Sequence, residues 1–183
     1  MEGTQIEAYL ATLGEELTRQ GFKEPVRLLV VGGVFMVLQM GSRKATEDVD
    51  VILLDLPEMT DKPPTKEIQK FIRAKNAVAA QHGIPRKWLN DTVKAFLLDY
   101  AAVPPLHHWK TFGALSVYFP PKEYILVSKL MTFRLKDYDD IQALLEDLEV
   151  ETREQAQALV DQFVPDKDWQ NYYELQKNLD QIF

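Results

Sequence analysis

The chain of 183 residues contains no cysteine. Disulfides and thiolate metal sites are thereby excluded, and nothing points to an oxidising compartment. Long apolar runs are missing too: Leu28 to Val31 and similar stretches fall far short of the roughly 20 residues that span a bilayer. No apolar segment behind basic residues opens the chain, so the expectation is an unprocessed cytoplasmic protein with no membrane partner. Positive charge is scarce, with 21 Lys and Arg against 28 Asp and Glu and a net charge of -7. That balance opposes general attraction to polyphosphate, so any nucleic-acid contact must be local. Repeats, low-complexity tracts and long linkers are also absent. With 46% hydrophobic and 27% charged positions, the remaining reading is one globular domain over residues 1–183.

Apolar spacing orders that domain. Ile6, Tyr9, Leu10, Leu13 and Leu17 recur at helical intervals and predict an amphipathic helix ending near Gly21. Val26 to Val31, rich in branched residues and closed by Gly32-Gly33, predicts a strand and a tight turn, followed by a short buried helix over Val34 to Met40. A second strand is expected over Asp48 to Leu54, a loop over Pro57 to Pro64, and a long helix from Thr65 to about His82. Another helix is expected over Leu89 to Asp99, then an irregular connection, then a third strand over Ala114 to Phe119. Pro120-Pro121 stops that strand, and the rest of the chain has helical periodicity. The expected fold class is α+β, with a core over residues 22–120 and a helical part over 121–183.

Chemistry concentrates between residues 31 and 52. The Gly32-Gly33 turn lets the backbone come close to a ligand, and the N-terminus of the following helix favours an anion. In Asp48-Val49-Asp50-Val51, the period of two places Asp48 and Asp50 on one strand face and Val49, Val51 and Leu53 on the other. Paired carboxylates repel one another unless a divalent cation joins them, and oxygen ligands suit magnesium. The alternative for each part is structural: a packed turn, and an edge strand with a solvated acidic face. If the turn and the acidic strand are neighbours, a triphosphate on the glycines lies beside a cation on the aspartates.

Val31-Gly32-Gly33, 14 intervening residues and Asp48-Val49-Asp50-Val51 together resemble the signature of the polymerase-beta-type nucleotidyltransferase superfamily. Arg43 and Thr46, giving Arg-x-x-Thr-x-Asp-x-Asp, make the chain similar to the bacterial branch that includes the AbiEii-type toxins and related prokaryotic proteins. Lys129-Leu130 to Arg134, then Lys136-Asp137 and Asp140, look like the same branch, so the likeness spans roughly residues 26 to 145.

The resemblance implies a nucleotidyltransferase fold, a small mixed sheet flanked by helices. It also implies a magnesium-dependent enzyme that moves a nucleotidyl group from a nucleoside triphosphate to an RNA end, a protein or a small molecule. In that reading Asp48 and Asp50 are the catalytic metal ligands. Gly32, Gly33, Arg43, Thr46 and Lys129 bind the nucleotide. Such enzymes usually add a third carboxylate from a nearby strand, acting as metal ligand or base. Leu115 to Phe119 has none, which leaves Asp91, Asp99 and Glu123 as candidates. Without one, the alternative is a catalytically inactive nucleotide-binding or protein-interaction domain of a toxin-antitoxin or defence system, with a cognate antitoxin as partner.

Other features favour structural roles. Asp137 and Asp140 read as N-terminal residues of the next helix, Asn90 or Asp91 as a helix cap, and Trp88 as a core anchor. His107-His108 lacks ligand spacing for zinc. Lys62, Lys66, Lys70, Arg73 and Lys75 read as a solvated helix face, with contact to an RNA acceptor as the rival. Trp169, Tyr172 and Tyr173 read as seating a terminal helix on the core.

Overall fold

The computed structural model describes residues 1–60, 62–93, 102 and 104–183. Contacts divide the backbone into two compact units, one within Met1–Lys94 and Leu106–Phe119, the other holding Pro120–Phe183.

The first unit is built on a five-stranded mixed sheet of order β3-β2-β1-β5-β4, with strands β1 (Val26–Val30), β2 (Val49–Leu53), β3 (Leu89–Asn90), β4 (His107–Phe112) and β5 (Leu115–Phe119). β1 runs parallel to β5 and antiparallel to β2, while β3 adds parallel to the outer side of β2. β1 and β2 are thus interior strands, which explains their near-continuous burial: of their residues, only Arg27 and Asp50 escape the core. Arg27 is held at the strand margin by Asp55, with Nη2 2.6 Å from Oδ1. That hydrogen bond, with the opposite charge behind it, keeps the Asp55 carboxyl below the usual carboxylate range.

Helix α1 (Gly3–Arg19) turns Ile6, Tyr9, Leu10, Leu13 and Leu17 inward, the face set by their spacing. Each fully buried aliphatic side chain on that face contributes about 1.5–3 kcal/mol. α1 packs on β4 and on α3 (Lys66–His82). The Thr65 side chain caps α3 by accepting from Ile68 N–H, and Gly83, at φ +65, ends it. Tyr9 joins the two helices to the end of the sheet, its ring 4.7 Å from that of His82 and 5.9 Å from that of Trp88. Trp88 is a core anchor, buried, with Nε1 donating to the Lys75 carbonyl at 3.2 Å.

Two elements differ from the sequence expectation. The segment beginning at Leu89 opens as strand β3 rather than as a helix: Val49 N–H donates to the Trp88 carbonyl at 2.7 Å, and Leu89-Asn90 pairs with Val49-Asp50. A strand of two residues has no period to read. Positions 94–99 of the expected helix lie outside the described residues. The connection read as irregular contains β4, whose polar His-His-Trp-Lys-Thr-Phe sequence suits the exposed sheet edge it forms and hides any alternation.

The second unit is helical, as the periodicity predicts: α4 (Lys122–Thr132), α5 (Tyr138–Asp147), α6 (Arg153–Phe163), α7 (Lys167–Tyr172) and α8 (Leu175–Asp180). α4 is its buried centre, packing on α5, α6 and α8. Asn178 ties α8 to it, Nδ2 donating to the Leu130 carbonyl at 2.8 Å. Near the end of α7, Trp169 stacks on Tyr173 and Tyr172 meets both rings edge-on, yet Tyr172 is 71% exposed, so this group only partly seats the terminal helices. None of the helices described is long and apolar enough to cross a membrane.

Candidate functional site

β1 delivers the chain to Gly32, where α2 (Gly32–Phe35) begins; it continues through a wider turn over Met36–Met40 to Gly41. The helix starts at the glycines, two residues before the expected position. Gly32 has φ +64, and a Cβ built on it would lie 2.7 Å from Asp50 Oδ2. Both the backbone angle and the carboxylate require glycine there. A Cβ on Gly33 would meet Thr46 Oγ1 at 2.5 Å and Arg43 Nη1 at 3.4 Å, so the loop before β2 folds its arginine and threonine onto the second glycine.

β2 then lays the acidic residues beside this turn. Val31 N–H donates to the Asp50 carbonyl at 3.0 Å, extending the β1–β2 ladder to the glycines. Asp48 precedes β2 directly and Asp50 lies within it, and both are half-buried. Because β2 is flanked by β1 and β3, the alternative of an edge strand with a solvated acidic face does not hold. Thr46 braces the approach: its hydroxyl donates to the Asp48 carbonyl at 3.3 Å, and its N–H donates to the Met1 carbonyl at 3.0 Å. A backbone bridge between Glu2 and Ala45 completes that brace. Gly32, Gly33, Arg43, Thr46, Asp48 and Asp50 are therefore brought together in one place.

Asn90 joins them. It lies opposite Asp50 in the β2–β3 register, and its Nδ2 donates to Asp48 Oδ2 at 3.1 Å. Thr92 in turn donates to Asn90 Oδ1 at 2.7 Å. Sequence reading weighed Asn90 as a helix cap and Asp91 as a cap or a third carboxylate; Asn90 instead ends β3, and Asp91 directly follows it. Asp91, on the alternate face, is buried and accepts the Met59 N–H at 2.7 Å. Behind β3, Lys75 Nζ donates to the Leu89 carbonyl at 3.4 Å. Burial pulls the Lys75 pKa down, and the Asp91 charge offsets part of that fall.

Asp99 lies outside the described residues. Glu123, in the first turn of α4, and Lys129 belong to the second unit. Lys129 is 4% exposed, which rules out a solvated helix position; its ammonium lies 3.0 Å from Asp137 Oδ1 and 2.5 Å from Asp140 Oδ2. Asp137 and Asp140 thus hold a buried lysine; Asp137, at the start of α5, makes no side-chain cap. His108 meets Thr111 at 2.9 Å on the exposed face of β4. Of the basic group, Lys66 and Arg73 are solvated, while Lys70 reaches over the Phe22 ring and Lys75 turns inward. Among the described residues, no group of three or more His, Asp and Glu side chains is placed to hold a metal.

Taken together, a mixed sheet presents two neighbouring carboxylates and an arginine against a glycine turn, a donor set suited to an anion and a hard cation together. Compared with family models, curated proteins and solved structures, the chain finds no match.

Proposed function

We propose that the first unit is a nucleotidyltransferase-type domain that binds a magnesium-nucleoside triphosphate and transfers its nucleotidyl group to an acceptor. The observation that carries this reading is the convergence of Gly32, Gly33, Arg43, Thr46 and Asp50 within one turn and one strand. Magnesium is commonly held by one or two carboxylates together with substrate phosphates rather than by an all-protein cage, so two aspartates without a third fit it. When bound, the ion supplies positive charge against the phosphates and the departing pyrophosphate. Gly32 and Gly33 admit phosphate oxygens close to the backbone. Arg43 offers a planar, fixed cation beside them. Asp48 and Asp50 orient the cation, and Thr46 fixes the loop that carries both Arg43 and Asp48. In the transfer, an acceptor oxygen bonds to the α-phosphorus, the bond to the pyrophosphate oxygen breaks, and the acceptor proton leaves to solvent.

A second reading is nucleotide binding without efficient turnover, as in a partner-regulated toxin or defence domain. It is favoured by the amide of Asn90, rather than an acid, beside Asp48. Titration calorimetry of the four nucleoside triphosphates with and without magnesium tests what both readings share. Wild type is expected to bind only with magnesium, and Asp48→Ala/Asp50→Ala, still melting cooperatively, to show no detectable heat. Equal binding by both proteins, or none by wild type, would overturn the assignment. Pyrophosphate release on adding RNA, protein or small-molecule acceptors then separates transfer from binding alone.

A further inference from the structure

Asn90 occupies the one position on β3 that directly faces the aspartate pair. Parallel pairing sets Val49 opposite Leu89 and Asp50 opposite Asn90, so the amide projects on the same face as the two carboxylates. The neighbouring acid, Asp91, is committed to the other side, where it accepts the Met59 N–H. The amide's orientation follows from its partners: Thr92 donates to Oδ1, which turns the NH2 group toward Asp48 Oδ2.

A donor at this place has two consequences. It occupies a lone-pair direction of Asp48 Oδ2 and so fixes the rotation of that carboxylate. It also denies the site a third negative ligand. Paired metal ions about 3.5–4 Å apart repel strongly and depend on anionic side chains gathered around them. A triphosphate neutralises the cation it carries, whereas a second cation would depend on further anionic ligands from the protein, and the amide at position 90 supplies none.

We propose that Asn90 is a positioning residue that orients Asp48 and limits the site to a single divalent cation per nucleotide. This rests on the magnesium-nucleotide reading above. Asn90→Asp sets a third carboxylate about 3 Å from Asp48 and converts the site to one that takes a second cation. Asn90→Ala frees Asp48 Oδ2 and, as with other groups that orient a metal ligand, weakens cation binding at least about tenfold while leaving the stoichiometry at one.

The test is a manganese titration of the full chain, followed by electron paramagnetic resonance, at saturating non-hydrolysable triphosphate, with free analogue subtracted. One manganese per wild-type chain, two per Asn90→Asp chain and one weakly held by Asn90→Ala is the expected pattern. Two per wild-type chain, or one per Asn90→Asp chain with Asn90→Ala unchanged, overturns the role of Asn90 but leaves the nucleotide site standing. No manganese on the wild type overturns both. If Asn90→Asp does not fold, Thr92→Val provides the second variant. Releasing the amide there is expected to weaken manganese severalfold, and unchanged affinity counts against the proposal.

Discussion

Replacing Lys129 by methionine is expected to destabilise the protein by about 3–5 kcal/mol, because it strands buried carboxylates without their cation. Lys129 Nζ sits between Asp137 and Asp140, and all three side chains are at most 4% exposed. Burial by itself would raise the Asp137 carboxyl. The Arg134 hydrogen bond and the Lys129 charge outweigh it and hold Asp137 below the ordinary value of about 3.9. A folded-state pKa depressed in this way adds stability at pH above about 4, and that contribution disappears as pH falls through the folded value. Lys129→Met removes one of the two cations, so its acid-unfolding midpoint is expected to move to higher pH. Urea melts at neutral pH and an acid titration followed by circular dichroism measure both effects. The triple variant Lys129→Met/Asp137→Asn/Asp140→Asn is expected to recover most of the loss, since it removes the charges together. A single variant within about 1 kcal/mol of wild type would show that the buried triad is not what holds α4 to α5.

Gly14→Ala is the second large effect. Gly14 sits mid-helix in α1, where alanine is intrinsically better by about 1 kcal/mol. Yet α1 crosses the β4–β5 hairpin so closely there that a methyl group would lie 2.6 Å from the Phe112 carbonyl carbon and 2.9 Å from its Cβ. The opposing surface is backbone, which has no rotamer to yield. It is also fixed from both sides. Gly113, the first residue of the two-residue turn, has φ +51, and Ala114 N–H donates to the Gly14 carbonyl at 3.2 Å. Moving the helix outward breaks that bond and opens the apolar seam of Leu10, Leu13 and Leu17. The expected net loss is about 3 kcal/mol, the upper range for overpacking, seen as a lower urea midpoint at unchanged slope. A midpoint at or above that of wild type would mean that the helix and hairpin do not meet as described.

The contrast between these two sites and the glycine-aspartate site shows what a sequence can reveal. Gly32-Gly33 and Asp48-Val49-Asp50 are legible because each is local. Paired glycines mark a turn, and a period of two sorts carboxylates to one face. Their adjacency followed from the pairing of two consecutive strands, with a helical connection between them. The helical second half was legible from its 3.6-residue apolar repeat. Asn90 was not, since its strand is two residues long and its meaning comes only from its register with Asp50. β4 was hidden for a related reason: an exposed edge strand needs no apolar alternation. The lysine triad was hidden because Lys129 reaches past the left-handed turn at Phe133, φ 39, to partners on the next helix. Gly14, read as one more residue in an amphipathic helix, has a role defined wholly by the hairpin it touches.

The nucleotide site is tested most directly by locating the cation. Crystals of wild-type protein grown with manganese and a non-hydrolysable nucleoside triphosphate, measured at the manganese absorption edge, are predicted to show an anomalous peak about 2–2.5 Å from carboxylate oxygens of Asp48 and Asp50, with the triphosphate lying against Gly32-Gly33. Manganese and triphosphate ordered at any other place, or a site still empty at saturating concentrations, would contradict the assignment.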